Sequence, residues 1–230
     1  TGSFGRDEAS SQSDLDLFIA GTTEIDEQNL NNNLAKQQHE RRLNRLDEII
    51  VKAKLIEVTR ELELPEFDGD GEYLRQHTQY ELIKQLGGPA DDYHNTFTAR
   101  LLLLLESKPL IGQEIYDNII DGVIKTYWRD YEKHKEEFKP TFFVNDVQRL
   151  WRTFCVNYEA RTRNTPEGEN IKRRIKNYKL KHSRLLTCYS SLLCLLAIHA
   201  KHKTVHPQDM REIVYKTPLK RLLWIQNEYD

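Results

Sequence analysis

Thr1-Gly-Ser-Phe-Gly-Arg-Asp-Glu-Ala-Ser-Ser-Gln-Ser-Asp-Leu-Asp16 is the stretch whose reading decides the fold. It runs into Asp14–Ala20 (DLDLFIA), a short apolar segment bounded by polar residues and Gly21, which predicts a buried strand. Side chains alternate along a strand, so Asp14 and Asp16 are expected on one face, with Leu15 turned to the core. Gly2 has no side chain to keep backbone amides away from a phosphate, and Ser3 adds a hydroxyl donor. Two neighbouring carboxylates repel one another and both stay ionised when a cation sits between them. Mg²⁺ takes oxygen ligands and commonly shares them with substrate phosphates. A turn motif beginning at Gly2 needs chain to pack against, so native residues are expected upstream of Thr1.

Outward from that segment, Thr22–Asn33 is polar and Asn-rich and predicts a loop. From about 34 to 64 apolar residues recur every three to four positions, a helical period that Pro65 ends. Glu72–Thr78 is expected as a strand after the turn at Asp68–Gly71, and Gln79–Leu86 as a short helix stopped by Gly87-Gly88-Pro89. Thr98–Glu106 is leucine-rich and predicts a buried helix. Helices then follow near 114–135, 144–161, 171–202 and 207–228, the last interrupted near Pro218, with a loop at Thr162–Asn170. The expected class is α+β: a short mixed-sheet domain over residues 1–112, then an all-helical C-terminal domain over 113–230 that closes the cleft.

The chain has 230 residues and 38% apolar composition, enough for one large domain or two small ones with real cores. Its formal net charge of −2 lacks the basic excess of a tight nucleic-acid binder, so any RNA or DNA contact has to be a local patch. The leucine run Leu101–Leu105 is far too short to cross a bilayer, and no signal-peptide pattern opens the sequence. Cys155, Cys188 and Cys194 have no CxxC spacing and fit buried apolar positions in a reducing, cytoplasmic setting.

Gly-Ser, ten residues, then Asp-apolar-Asp resembles the signature of the DNA polymerase beta-like nucleotidyltransferase superfamily. GSFGR followed by SDLDLF is most similar to the branch holding the PII-protein uridylyltransferases and the minimal nucleotidyltransferases. The strong likeness covers residues 1–20, and a weaker one runs through Leu104–Gly112 (LLESKPLIG). The resemblance implies an NTP donor, two Mg²⁺ ions, a hydroxyl acceptor and release of pyrophosphate. It places Gly2, Ser3 and Arg6 on the nucleotide and Asp14 and Asp16 on the metal. It also implies a third carboxylate, as metal ligand or general base, for which Glu72 ranks ahead of Asp70 and Glu106. Lys181 or Arg184 is the expected cation reaching the phosphates, with a solvated helix face as the alternative. The acceptor reads as a protein side chain first and an RNA end next. A nucleotide-binding sensor without catalysis is the competing class.

Three other patterns are weaker. Asn145, Asp146, Arg149 and Arg152 fit a pocket wall or structural ion pairs. Arg129 and His134 match the Arg-x4-His pattern of HEPN-type ribonucleases, a short pattern that arises by chance in charged segments. His199, His202 and His206 have metal-ligand spacing, but Pro207 follows at once and no carboxylate completes the set.

Overall fold

A computed structural model describes residues 1–21, 43–67, 74–163 and 170–229. The chain is mostly helical with a small parallel sheet, an α+β arrangement. In order, the elements are α1 (Gly2–Gly5), β1 (Ile19–Gly21), α2 (Arg45–Glu61), β2 (Gln76–Thr78), α3 (Gln79–Lys84), α4 (Pro89–Tyr93) and α5 (Thr96–Glu106). They continue with α6 (Gln113–Tyr127), α7 (Thr141–Thr162), α8 (Asn170–Lys179), α9 (Leu185–His202), α10 (Pro207–Val214) and α11 (Pro218–Tyr229). The chain divides into two compact units, residues 1–103 with 107–123, and residues 104–106 with 124–230.

In the first unit β1 and β2 pair in parallel, with Ile19 opposite Gln76, Ala20 opposite His77 and Gly21 opposite Thr78. Among the described residues this is the whole sheet, two parallel strands where a mixed sheet was expected. Pairing begins at Ile19, so Asp14 and Asp16 precede the ladder and its alternation does not aim them. The helix expected from 34 is described from Arg45, where the Asn44 side chain caps Asp47 N at 2.9 Å. A capping box opens α3: Glu81 N donates to Thr78 Oγ1 and Thr78 N to Glu81 Oε2. Gly87, with φ +75°, supplies the left-handed residue that ends that segment.

Leu82, Phe97, Leu101, Ile119, Ile120 and Val123 form the core of this unit. Beneath them, Arg100 and Asp91 are a fully buried ion pair at 2.5 Å. Thr96 Oγ1 donates to Asp91 at 2.7 Å and Arg100 to Leu82 O at 3.1 Å, so the charges are also hydrogen-bonded.

The elements of the second unit among the described residues are all helices. Its core gathers Trp128, Phe138, Phe143, Val147, Leu150, Cys188, Leu195, Ile198, Met210 and Ile213. Trp128 Nε1 donates to Val205 O at 2.9 Å, which ties the segment after α6 to the start of α10. Helix α6 ends at Tyr127, short of the expected 135, and the chain passes through turns and a 3₁₀ segment at Tyr131–Lys133. Helices α8 and α9 join through a π-helical turn, Leu180–Arg184, into one 33-residue helix from Asn170 to His202. By length and composition this helix passes as a membrane span, although Ser, Thr and His limit its longest unbroken apolar run to Leu192–Ile198. Within the unit, Thr187, Cys188, Ser190, Ser191, Cys194, Leu195 and Ile198 of α9 are buried.

Candidate functional site

The glycine–serine segment folds as a single closed turn. Gly5 N donates to Thr1 O at 3.2 Å, Arg6 N to Gly2 O at 3.1 Å and Glu8 N to Ser3 O at 2.9 Å. Gly2 has φ +63°, a left-handed conformation that a residue with Cβ adopts only at a cost. Asp7 leaves the turn at φ +61°, a region where Asp is one of the better-tolerated side chains.

Asp16 returns to this turn across fourteen residues of sequence. Thr1 anchors it from both its backbone nitrogen and its hydroxyl, which donate to Asp16 O at 2.9 and 3.2 Å. The Asp16 carboxylate then lies against Gly2: a Cβ added there would sit 2.1 Å from Asp16 Oδ2 and 3.0 Å from Cγ. The absence of a side chain at Gly2 is therefore a steric requirement of the place Asp16 occupies. Ser3 is half-buried, Asp16 is half-buried and Asp14 is exposed.

Two cations accompany the turn. Arg6 is mostly buried, and its Nε donates to Glu8 at 2.8 Å, which fixes the guanidinium along the turn. Lys108, from the segment after α5, is half-exposed and ion-paired with Asp7 across 101 residues of sequence. Sequence reasoning passed over Lys108; the only trace was its place in LLESKPLIG, and nothing linear connects it to Asp7. Beside Thr1 lies a largely apolar cavity of about 360 Å³, walled by Leu17, Phe18, Val51, His77, Leu103 and Ile115 among others, with Ser107, Lys108 and Tyr116 as polar points.

The other expected site residues are distributed differently. Glu72 and Asp70 lie outside the described residues. Glu106 is buried in the second unit and accepts from Arg184 Nη1 at 2.7 Å and Thr187 Oγ1 at 2.7 Å. Arg184, also 4.9 Å from the Phe154 ring centroid, is thereby engaged inside the second unit, while Lys181 is exposed. Asp146 accepts from Tyr127 OH at 2.7 Å, a structural tie, and Asn145 and Arg152 are exposed.

Arg129 and His134 are not on one helical face: they flank the 3₁₀ segment beyond α6, and Arg129 stacks 4.8 Å from Phe142. His206 bonds Tyr131 through Nδ1, while its backbone N donates to Asp209, so it caps α10. No group of three or more His, Cys, Asp or Glu side chains able to hold a metal occurs among the described residues.

Asp16 thus sets its carboxylate against the turn at Gly2, and Asp14, two residues earlier and exposed, is likewise an oxygen donor. That donor set fits Mg²⁺, which is commonly held by one or two carboxylates together with substrate phosphates. It does not suit a metal needing a closed cage of protein nitrogen or sulfur ligands. Comparison with models of known families, with characterised proteins and with solved structures finds no match for this chain.

Proposed function

We propose that this chain is a Mg²⁺-dependent nucleotidyltransferase that moves a nucleoside monophosphate from an NTP to a hydroxyl, with a protein side chain favoured over an RNA end as acceptor. The observation that supports this reading most directly is the seating of the Asp16 carboxylate in the space that a Gly2 side chain would fill. A bare Asp-x-Asp on a solvated strand end has no reason to be held against a left-handed glycine.

In this reading Gly2 and Ser3 bind the β and γ phosphates, Ser3 through its hydroxyl and Gly2 through its backbone amide, while the missing side chain of Gly2 leaves room for the Asp16 carboxylate. Arg6 stiffens the turn through Glu8, and Lys108, beside Asp7, sets a further positive charge next to it. Asp14 and Asp16 would hold the metal, which when bound would neutralise charge on the triphosphate and on the departing pyrophosphate. The acceptor oxygen attacks the α-phosphorus, the bond from that phosphorus to the β-bridging oxygen breaks, and pyrophosphate leaves with the electron pair. The acceptor proton passes to a third carboxylate, for which Glu72 remains the residue proposed.

The test is release of labelled pyrophosphate from each NTP, with cell lysate as acceptor source. The wild-type chain turns over at least one NTP, and Asp14→Ala/Asp16→Ala abolishes it; undiminished turnover in that variant refutes the assignment. The second reading is a nucleotide-binding sensor, favoured by one observation: Glu106 is committed to Arg184 and Thr187. Calorimetric NTP binding that requires Mg²⁺, without turnover under any acceptor condition, selects the sensor.

A further inference from the structure

We propose that α8, with the π turn that follows it, is a binding surface for single-stranded nucleic acid. None of the ten residues of α8 is buried. A helix that short is marginal by itself in water, so α8 persists as an extension of the packed α9 rather than by burying a face of its own. It carries Lys172, Arg173, Arg174, Lys176 and Lys179, with Lys181 in the turn, all exposed. From residue 170 to 203 the sequence holds nine Lys or Arg and no Asp or Glu, within a chain of net charge −2. Glu167 and Glu169, just upstream, lie outside the described residues. This is the local cationic patch that a nearly neutral chain needs if it is to bind a polyanion.

The side chains between those cations identify the polyanion. Ile171, Ile175 and Tyr178 recur at helical spacing and are 73%, 52% and 65% exposed. Tyr178 lies against His182, with centroids 4.3 Å apart at 38°, which presents aromatic faces among the positive charges. Single-strand binders combine a cationic track for the phosphates with aromatic rings on which bases stack. A helix lying in a membrane surface has a broad apolar face rich in Trp, Phe and Leu. Here the exposed stripe contains none of these. Charge together with an exposed ring pair therefore favours nucleic acid over lipid.

The proposal is independent of nucleotide transfer, so its test uses the full chain in EDTA without NTP. Fluorescence anisotropy is read with labelled 12-mers of oligouridylate and oligothymidylate, and co-sedimentation with vesicles of phosphatidylcholine containing phosphatidylserine. Binding to one or both oligonucleotides is expected, with Kd on the order of 10⁻⁴ to 10⁻⁶ M near physiological salt; the stronger of the two tells RNA from DNA. Arg173→Glu/Lys176→Glu/Lys179→Glu weakens it at least about tenfold and flattens the log–log salt slope by about 2. Tyr178→Ala weakens it at least about fivefold while Tyr178→Phe leaves it unchanged. All these side chains are exposed, so circular dichroism and thermal melting serve as fold controls, and Gln replacements at the three cationic positions stand in if reversal disturbs folding. The proposal is overturned if wild type binds neither oligonucleotide, if it binds only the vesicles, or if the charge variants bind as tightly as wild type.

Discussion

Gly2 and Asp16 compete for one volume: the carboxylate oxygen of Asp16 lies 2.1 Å from the point where a Cβ on residue 2 would stand. Gly2→Ala therefore meets two penalties, an overlap with Asp16 and a φ of +63°. Together these cost about 1–3 kcal/mol unless Asp16 swings away. The variant is expected to melt earlier and to lose Mg²⁺-dependent NTP binding, whereas Ser3→Ala keeps its thermal midpoint. Equal melting of Gly2→Ala and wild type would contradict the packing described.

Lys108 and Lys181 are both candidates for the cation that reaches the phosphates. Lys108 is ion-paired with Asp7 at the turn, and Lys181 is exposed in the second unit. Lys108→Ala is expected to weaken NTP binding roughly three- to tenfold, the scale of one partly solvated charged hydrogen bond. Calorimetric titration of Lys108→Ala and Lys181→Ala ranks the two, and an affinity unchanged in Lys108→Ala removes that residue from the site.

The Glu106–Arg184 pair is asymmetric in exposure, with the carboxylate side chain fully buried and the guanidinium 30% exposed. Removing the cation leaves a buried charge that still accepts from the Thr187 hydroxyl, while removing the anion leaves a cation that water reaches. Arg184→Ala is expected to cost about 2–4 kcal/mol in urea unfolding and Glu106→Gln distinctly less. The double variant should recover part of the loss of Arg184→Ala. If Glu106→Gln is the more damaging change, the pair is not behaving as a buried anion with a peripheral cation.

The thiols are separated by burial. Burial, with Glu106 adding repulsion, pushes Cys188 up to about 12, and burial pushes Cys194 up to about 11. Raised thiol values favour the neutral form in the folded chain, so this contribution is intact below the ordinary thiol value near 9 and fades as pH climbs through 11 to 12. Iodoacetamide at pH 8.5 is expected to label half-exposed Cys155 on α7 before either of the others, which react only after denaturation. Peptide mapping by mass spectrometry reads the order.

The longer helices of this chain were legible in its sequence because a helix is closed by bonds between near neighbours. Tyr116, Ile119, Ile120, Val123, Ile124 and Tyr127 announce the buried face of α6 by spacing alone, and Pro218 marks the break before α11. The glycine–serine turn and its two aspartates were legible as a local pattern as well. What the turn touches was not. Asp7 meets Lys108 across 101 residues, and Glu106 meets Arg184 across 78, pairings that no linear motif carries. Pairing with β2 starts only at Ile19, so Asp16 is placed by Thr1 and Gly2 and not by strand alternation. Periodicity reports which way a side chain points from its own helix or strand; only the folded chain decides which distant charge waits there.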